Sequence, residues 1–246
     1  MKTSSLLLAT LVAFSALSFS TTSFAQETTS ANKFTDESEL ALVSVSGNSS
    51  SSNISAKQKN SYTFGKDTIS AGGHYLRTES AGIETARSWD LQGRYEHVIH
   101  ENLSGYVGYG ADSDPFAGYI QRDNFDIGAK YQLVKTEWQN WSVELGYRYS
   151  KMNTTMDMQY ANMGRGYTEY NVNFSKSFSA RYWVEYLPNF SDSEAYFVNT
   201  EPSVSMLITQ IFSLKMAYLI QYHNKLIQPT EVHTDTTFNT FLVEKF

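Results

Sequence analysis

The sequence has no cysteine among its 246 residues. That absence excludes a disulfide framework, a thiolate metal site and a thiol nucleophile. It also removes the acylated cysteine of a lipoprotein. Basic charge is not in excess either: 19 Lys and Arg stand against 25 Asp and Glu, for a net charge of −6 and an isoelectric point near 5.4. A basic stripe able to neutralise phosphates is missing, so no nucleic-acid partner is expected. Beyond the amino terminus no stretch reaches the ~18 consecutive apolar residues of a spanning helix.

Aromatic residues are abundant, with 17 Tyr and 15 Phe, yet the mean hydropathy is only −0.38. That pairing is unusual for a soluble core. It suits a membrane barrel, in which aromatics ring the two interfaces and polar residues fill the lumen.

The amino terminus reads as a signal peptide over residues 1–25. Lys2 supplies the positive region, Leu6 to Ala13 the apolar region, and Ser23-Phe24-Ala25 a small-x-small cleavage site, so the mature chain is expected to start at Gln26. The apolar stretch is broken by Ser and Thr and falls short of the ~20 residues of a membrane anchor. Residues 26–35 are polar and without period, which predicts a flexible leader. Residues 36–246 are then expected to form one domain.

That domain is patterned with a period of two. In Trp141 to Ser150 the residues Trp141, Val143, Leu145, Tyr147 and Tyr149 alternate with Ser142, Glu144, Gly146, Arg148 and Ser150. A strand collects each set on its own face, whereas a helix would scatter both. Ile54 to Phe64, Arg122 to Gln132 and Phe212 to Tyr222 repeat the pattern. Weaker segments near 37–46, 68–77, 86–97, 103–110, 164–175, 180–187, 194–207 and 234–246 bring the total to about twelve, an even number as bacterial barrels require. Connections at 47–52, 77–85, 111–118, 151–163, 187–193 and 223–233 read as long, and those between them as short. This is the asymmetry of extracellular loops and periplasmic turns. The expected fold is therefore all-β: a transmembrane antiparallel up-and-down β-barrel of about twelve strands. A soluble sandwich or lipocalin-like barrel also alternates, but its single interior favours Leu, Ile and Val over so much Tyr and Trp.

The apolar faces present Trp89, Tyr131, Trp141, Tyr147, Tyr149, Tyr182, Tyr186 and Tyr218 as an outward belt toward outer-membrane lipid. The polar faces carry Lys57, Lys59, Arg94, Glu96, Arg122, Asp126, Lys130, Glu144, Arg148, Arg181, Glu185, Glu201 and Lys215, which are expected to line the lumen. Unpaired charges in so confined a space are costly. They either pair into a network that props the wall, or separate into basic and acidic flanks of a selective pore. About twelve strands enclose more space than an ~8-stranded barrel that side chains fill and less than an open ~16-stranded porin. A narrow or partly occluded pore in a monomeric barrel is the expectation, in a porin-like or envelope-maintenance protein, with a structural or surface-binding barrel of occluded lumen as the alternative.

Other chemistry is sparsely signalled. None of the histidines His74, His97, His100, His223 and His233 sits in a His-x-Ser step; His223, before Asn224, is the first candidate if a hydrolase is present. Asp112, Asp114 and Asp123 lie near one loop but lack the glycine turn and terminal glutamate of a calcium loop. Met152, Met156, Met158 and Met163 read as loop residues or an adaptable contact surface. No catalytic residue, metal or cofactor is expected.

The chain ends in an alternating strand closed by Phe246, which resembles the signal read by the outer-membrane barrel-assembly machinery; Glu244 stands where that signal usually has an apolar residue. Glu37 to Asn48 (ESELALVSVSGN), Phe116-Ala117-Gly118-Tyr119, Trp141 to Lys151 (WSVELGYRYSK) and Gln221-Tyr222-His223-Asn224 follow in an order that resembles the YdiY-like family of salt-induced outer-membrane proteins, grouped as a domain of unknown function. The resemblance covers about residues 36–246. It implies an outer-membrane barrel, with a link to salt or osmotic response. It carries over no substrate and no catalytic residue.

Overall fold

The computed structural model describes residues 32–45, 50–226 and 232–245. The alternating segments form strands β1 (Lys33–Val45), β2 (Ser51–Phe64), β3 (Asp67–Ser80), β4 (Ile83–His100), β5 (Leu103–Asp114), β6 (Tyr119–Lys135), β7 (Gln139–Thr154), β8 (Met158–Asn173), β9 (Phe178–Leu187), β10 (Phe197–Leu207), β11 (Phe212–His223) and β12 (Thr234–Lys245). Each pairs with the next and β1 returns to β12, giving a closed antiparallel barrel. Closure is what hydrocarbon demands, since an open sheet edge would leave N–H and C=O groups without partners.

The period of two becomes two walls. In β7, Leu145 is 74% exposed on the outside while its neighbour Glu144 is 5% exposed on the inside. Below, the end of the barrel that holds residues 33 and 245 is called the lower end and the opposite one the upper end.

Three upper connections are shorter than the sequence suggests. β3 and β4 meet through Ala81 and Gly82 alone, at φ 51° and 76°, the left-handed pair of a type I′ hairpin turn. β5 continues to Asp114, whose carboxylate accepts the backbone N–H groups of Phe116 and Ala117 at 3.0 Å and so caps a single 3-10 turn, Pro115–Ala117. β7 and β8 extend to Thr154 and from Met158. The cause is common to all three: strand pairing does not stop where hydrocarbon stops, so a polar stretch marks the water boundary and not the end of a strand. At the lower end β1 likewise starts at Lys33, inside the stretch read as leader, and Thr35 bonds Ser61 across the hairpin at 2.6 Å. The signal peptide and Phe246 fall outside the described residues.

Pairing around the wall is uneven. β1 pairs with β2 from Lys33↔Thr63 to Val45↔Ser51. With β12 it shares four residue pairs among the described residues, Glu37↔Lys245 to Leu40↔Leu242, all toward the lower end. Ala41, Ala217, Phe241 and Val243 form a buried apolar cluster on the lumen side of that seam.

Candidate functional site: the ionic lumen

Strand register builds the site one row at a time. Tyr106 of β5, Gly128 of β6, Gly146 of β7 and Arg165 of β8 stand side by side on the inner wall. The two glycines leave a trough along which the Tyr106 phenol lies; a Cβ on either would stand 2.6 Å from its hydroxyl. That hydroxyl accepts a hydrogen bond from Arg165 at 3.0 Å, and the Arg94 guanidinium lies over the ring at 3.8 Å.

Carboxylates join these cations across the interior. Glu144 accepts from Arg94 at 3.0 and 2.9 Å and from Arg165 at 2.6 Å. Arg165 also donates to Glu185 at 2.7 Å. Arg148 holds Asp126 through two bonds of 2.7 and 2.8 Å and reaches Glu185 at 3.3 Å. This first arc runs from β4 to β9, with Glu96 and Lys130 attached below at 3.1 and 3.5 Å. Above it Arg122 pairs with Asp112 at 2.9 Å and lies 4.7 Å from the centre of the Tyr119 ring.

A second arc follows the remaining wall. Lys215 donates to Glu39 at 2.6 Å, and Arg181 to Glu169 at 2.6 Å. Glu201 is approached by Arg181, Lys57 and Lys215 at 3.6, 3.8 and 4.0 Å. Eight cations thus meet eight anions. Their signs alternate at contact distance and do not separate into basic and acidic flanks, so the interior is close to neutral. A cavity of about 240 Å³ opens beside the first arc, lined by Gln92, Asn124, Asp126, Arg148, Arg165 and Glu185 among others.

Of the charged residues the sequence assigns to the lumen, all but Lys59 lie in these contacts; Lys59 shares the face of Lys57 nearer the lower end, opposite Glu37. Arg165, Glu169, Glu39, Asp112, Tyr106 and Tyr167 were not legible. In β8 the outer wall receives Gly164, Gly166 and Thr168 and the inner wall Met163 and Tyr167, so the contrast between the faces is inverted and Arg165 and Glu169 go unmarked. Trp183, Tyr167 and Phe241 also point inward. Aromatics therefore furnish the interior as well as the belt.

On the outer wall Tyr131, Trp141, Tyr147, Tyr149, Tyr182, Tyr186 and Tyr218 are 37% to 49% exposed, and Trp89 stands opposite the exposed Tyr75. The polar tips find partners at the wall: the Trp141 indole donates to Thr168 at 3.0 Å, and the Tyr147 hydroxyl bonds Asn162.

His223 packs edge-on against Phe197 at 4.8 Å. His74 meets a serine: its Nε2 lies 3.2 Å from Ser55 Oγ and its Nδ1 lies 3.3 Å from Asp90. Ser55 has no exposed surface, so no substrate carbonyl can reach its oxygen. The three aspartates near one loop diverge: Asp112 pairs with Arg122, Asp114 caps the 3-10 turn, and Asp123 lies on the outer wall, bonded to Tyr109 and Gln121. Only Met156 of the four methionines lies in a connection; Met163 is buried in the lumen. At the upper mouth Lys225 bonds Asp192 and holds its carboxyl below the usual carboxylate range.

The model of a family described as "Protein of unknown function, DUF481" matches residues 38–246. No curated protein matches the sequence. Among solved structures the chain is similar to the NanC porin, with a TM-score of 0.54, 9% identity and coverage of 85% of this chain and 98% of that one. It is also similar to an outer-membrane channel from Pseudomonas putida F1, with a TM-score of 0.50, 12% identity and coverage of 90% and 97%. At such identities the likeness concerns the fold, which is that of outer-membrane barrels.

Proposed function

The chain belongs to the DUF481 family of proteins of unknown function, and from that premise we propose that it is a narrow, porin-like outer-membrane channel for small ions and solutes, constricted by its ionic network. The observation that carries this reading is the run of contacts Arg94, Glu144, Arg165, Glu185, Arg148 and Asp126 across the interior from β4 to β9. Such a network leaves passage for small species and blocks oligomeric ones. Near-neutral balance argues for weak charge selectivity, since a pore selects by charge through a field of one sign.

On this reading the chain is exported through the periplasm, inserted by the barrel-assembly machinery, and sits in lipid as a monomer without enzymatic activity. A link to salt is physically natural here. Lys57, Lys130 and Arg181 are each about one-third exposed, and added salt screens pairs of that kind. The test is recording on chain refolded into planar bilayers. Small, steady conductance steps that grow more than proportionally with salt are expected. Silence across many insertions overturns the channel and leaves a structural barrel with a sealed lumen.

A further inference from the structure

The outer wall is not apolar all the way round. In β1 the exposed Leu40 and the buried Glu39 fix the two faces, so Phe34, Asp36, Ser38, Leu40 and Leu42 point outward. Opposite them on β2 stand Tyr62, Asn60, Gln58, Ala56 and Ile54. Asp36, Ser38, Gln58 and Asn60 therefore form a polar patch on a wall that meets hydrocarbon, where such side chains are costly. They bond one another: Asp36 accepts from Gln58 and Asn60 at 2.6 Å, Gln58 also donates to Asn60 at 2.9 Å, and Ser38 donates to Gln58 at 2.5 Å.

The register shows where the patch leads. Ser38 has Gln58 on one side and Glu244 of β12 on the other. Glu244 shares the outward face of the exposed Leu242, since Val243 between them is buried in the lumen. Phe34 and Tyr62 border the patch below, but this row carries it to the lower end of β12 and so to the lower surface of the membrane. Its charge is one-sided: Asp36 and Glu244 are carboxylates, and the outward positions of β11, β12, β1 and β2 hold no Lys or Arg among the described residues. A second copy of the chain docked here would set like charges against each other. A layer of water and ammonium groups would not.

Height decides the consequence. In β7 the outward positions from Trp141 to Tyr149 are apolar without a break, a rise of about 20 Å for strands tilted by about 40°. Above the patch β1 offers Leu40 and Leu42, and β2 offers Ala56 and Ile54, a rise of about 5 Å on the same geometry. A bilayer thins where the apolar wall is short. We propose that the outer wall of β12, β1 and β2 draws the headgroups of the lower leaflet up to Ser38 and Gln58, with a phospholipid bearing a primary ammonium group as the occupant that meets Asp36 and Glu244. The inference rests on the barrel's lying in lipid and is independent of conduction.

The absence of cysteine makes the test clean. A nitroxide is placed at Ser38→Cys or at Val143→Cys, an outward position of β7 at a similar count of residues above the lower end. Each variant is folded into vesicles of phosphatidylethanolamine and phosphatidylglycerol, and collisions of the label with oxygen and with a water-soluble nickel chelate are measured. The ratio of chelate to oxygen collisions should be several-fold higher at Ser38 than at Val143. Asp36→Leu/Gln58→Leu/Asn60→Leu, which makes the wall apolar, should bring the Ser38 ratio down to that of Val143. Phosphatidylcholine in place of phosphatidylethanolamine has no ammonium N–H to donate, and should lower the Ser38 ratio while leaving Val143 unchanged. Equal, oxygen-rich ratios at the two sites overturn the proposal and leave the barrel in lipid. A Ser38 label shielded from both reagents, as a covering protein would shield it, overturns it too, and a Ser38 ratio unmoved by the choline lipid overturns the choice of occupant.

Discussion

Gly128 and Gly146 act by what they leave empty. A methyl group on Gly128 would stand 2.6 Å from the Tyr106 hydroxyl and 2.5 Å from the Leu145 carbonyl oxygen, so neither a side-chain rotation nor a small backbone shift relieves both contacts. Gly128→Ala is expected to lower stability by about 1–3 kcal/mol, as overpacking of a close contact does. Urea unfolding in lipid vesicles checks it. Glu144 is the opposite case, a residue that matters by what it holds. Its loss in Glu144→Ala leaves Arg94 and Arg165 facing each other over Tyr106 and should cost about 3–5 kcal/mol. Adding Arg165→Ala removes one of the stranded charges, so the double variant should cost clearly less than the sum of the singles in the same assay. Strict additivity would mean that the two side chains do not interact. Sequence alternation marked Glu144 because Val143 and Leu145 flank it on the other face. It could not mark Tyr106, whose inward position depends on two glycines on neighbouring strands that only the register brings together.

At the scale of the strand, alternation was readable wherever the outer face was apolar. β7 is the clearest instance: from Trp141 to Ser150 its outer row is aliphatic or aromatic and its inner row polar or glycine. Leu145→Arg puts a charge on the outer row at the centre of that strand, beside Ala129 and Gly166. Insertion should become less favourable by about 2–4 kcal/mol if the site lies near the bilayer midplane. Folding into vesicles with unchanged stability would show that this face does not meet lipid. Strand ends were the least legible feature. The polar residues of the upper hairpins gave a loop signal, while the ladder ran on through them, as at Ala81 and Gly82 where two residues suffice. β8 hid its charges for a related reason: alternation reports a contrast between faces, and a strand with glycine and threonine outside has little contrast to report.

For the whole molecule, the strand count and the closed antiparallel topology followed from the number of alternating segments, because hydrocarbon allows no open edge. How tightly each neighbour holds the next did not follow. The β1–β12 ladder is short among the described residues, although both strands alternate like their neighbours and nothing in either residue pattern marks the difference. The arrangement of the lumen was half legible: charges of both signs had to pair, but which carboxylate takes which guanidinium is settled by strand order across the barrel, as when Arg94 of β4 reaches Glu144 of β7. The central functional claim is that these pairs set the width of the passage. Single-channel conductance of Glu144→Ala/Arg165→Ala, recorded beside the parent chain in the same bilayer and salt, tests it most directly. The account predicts steps several-fold larger in the double variant; equal steps in the two proteins would contradict it.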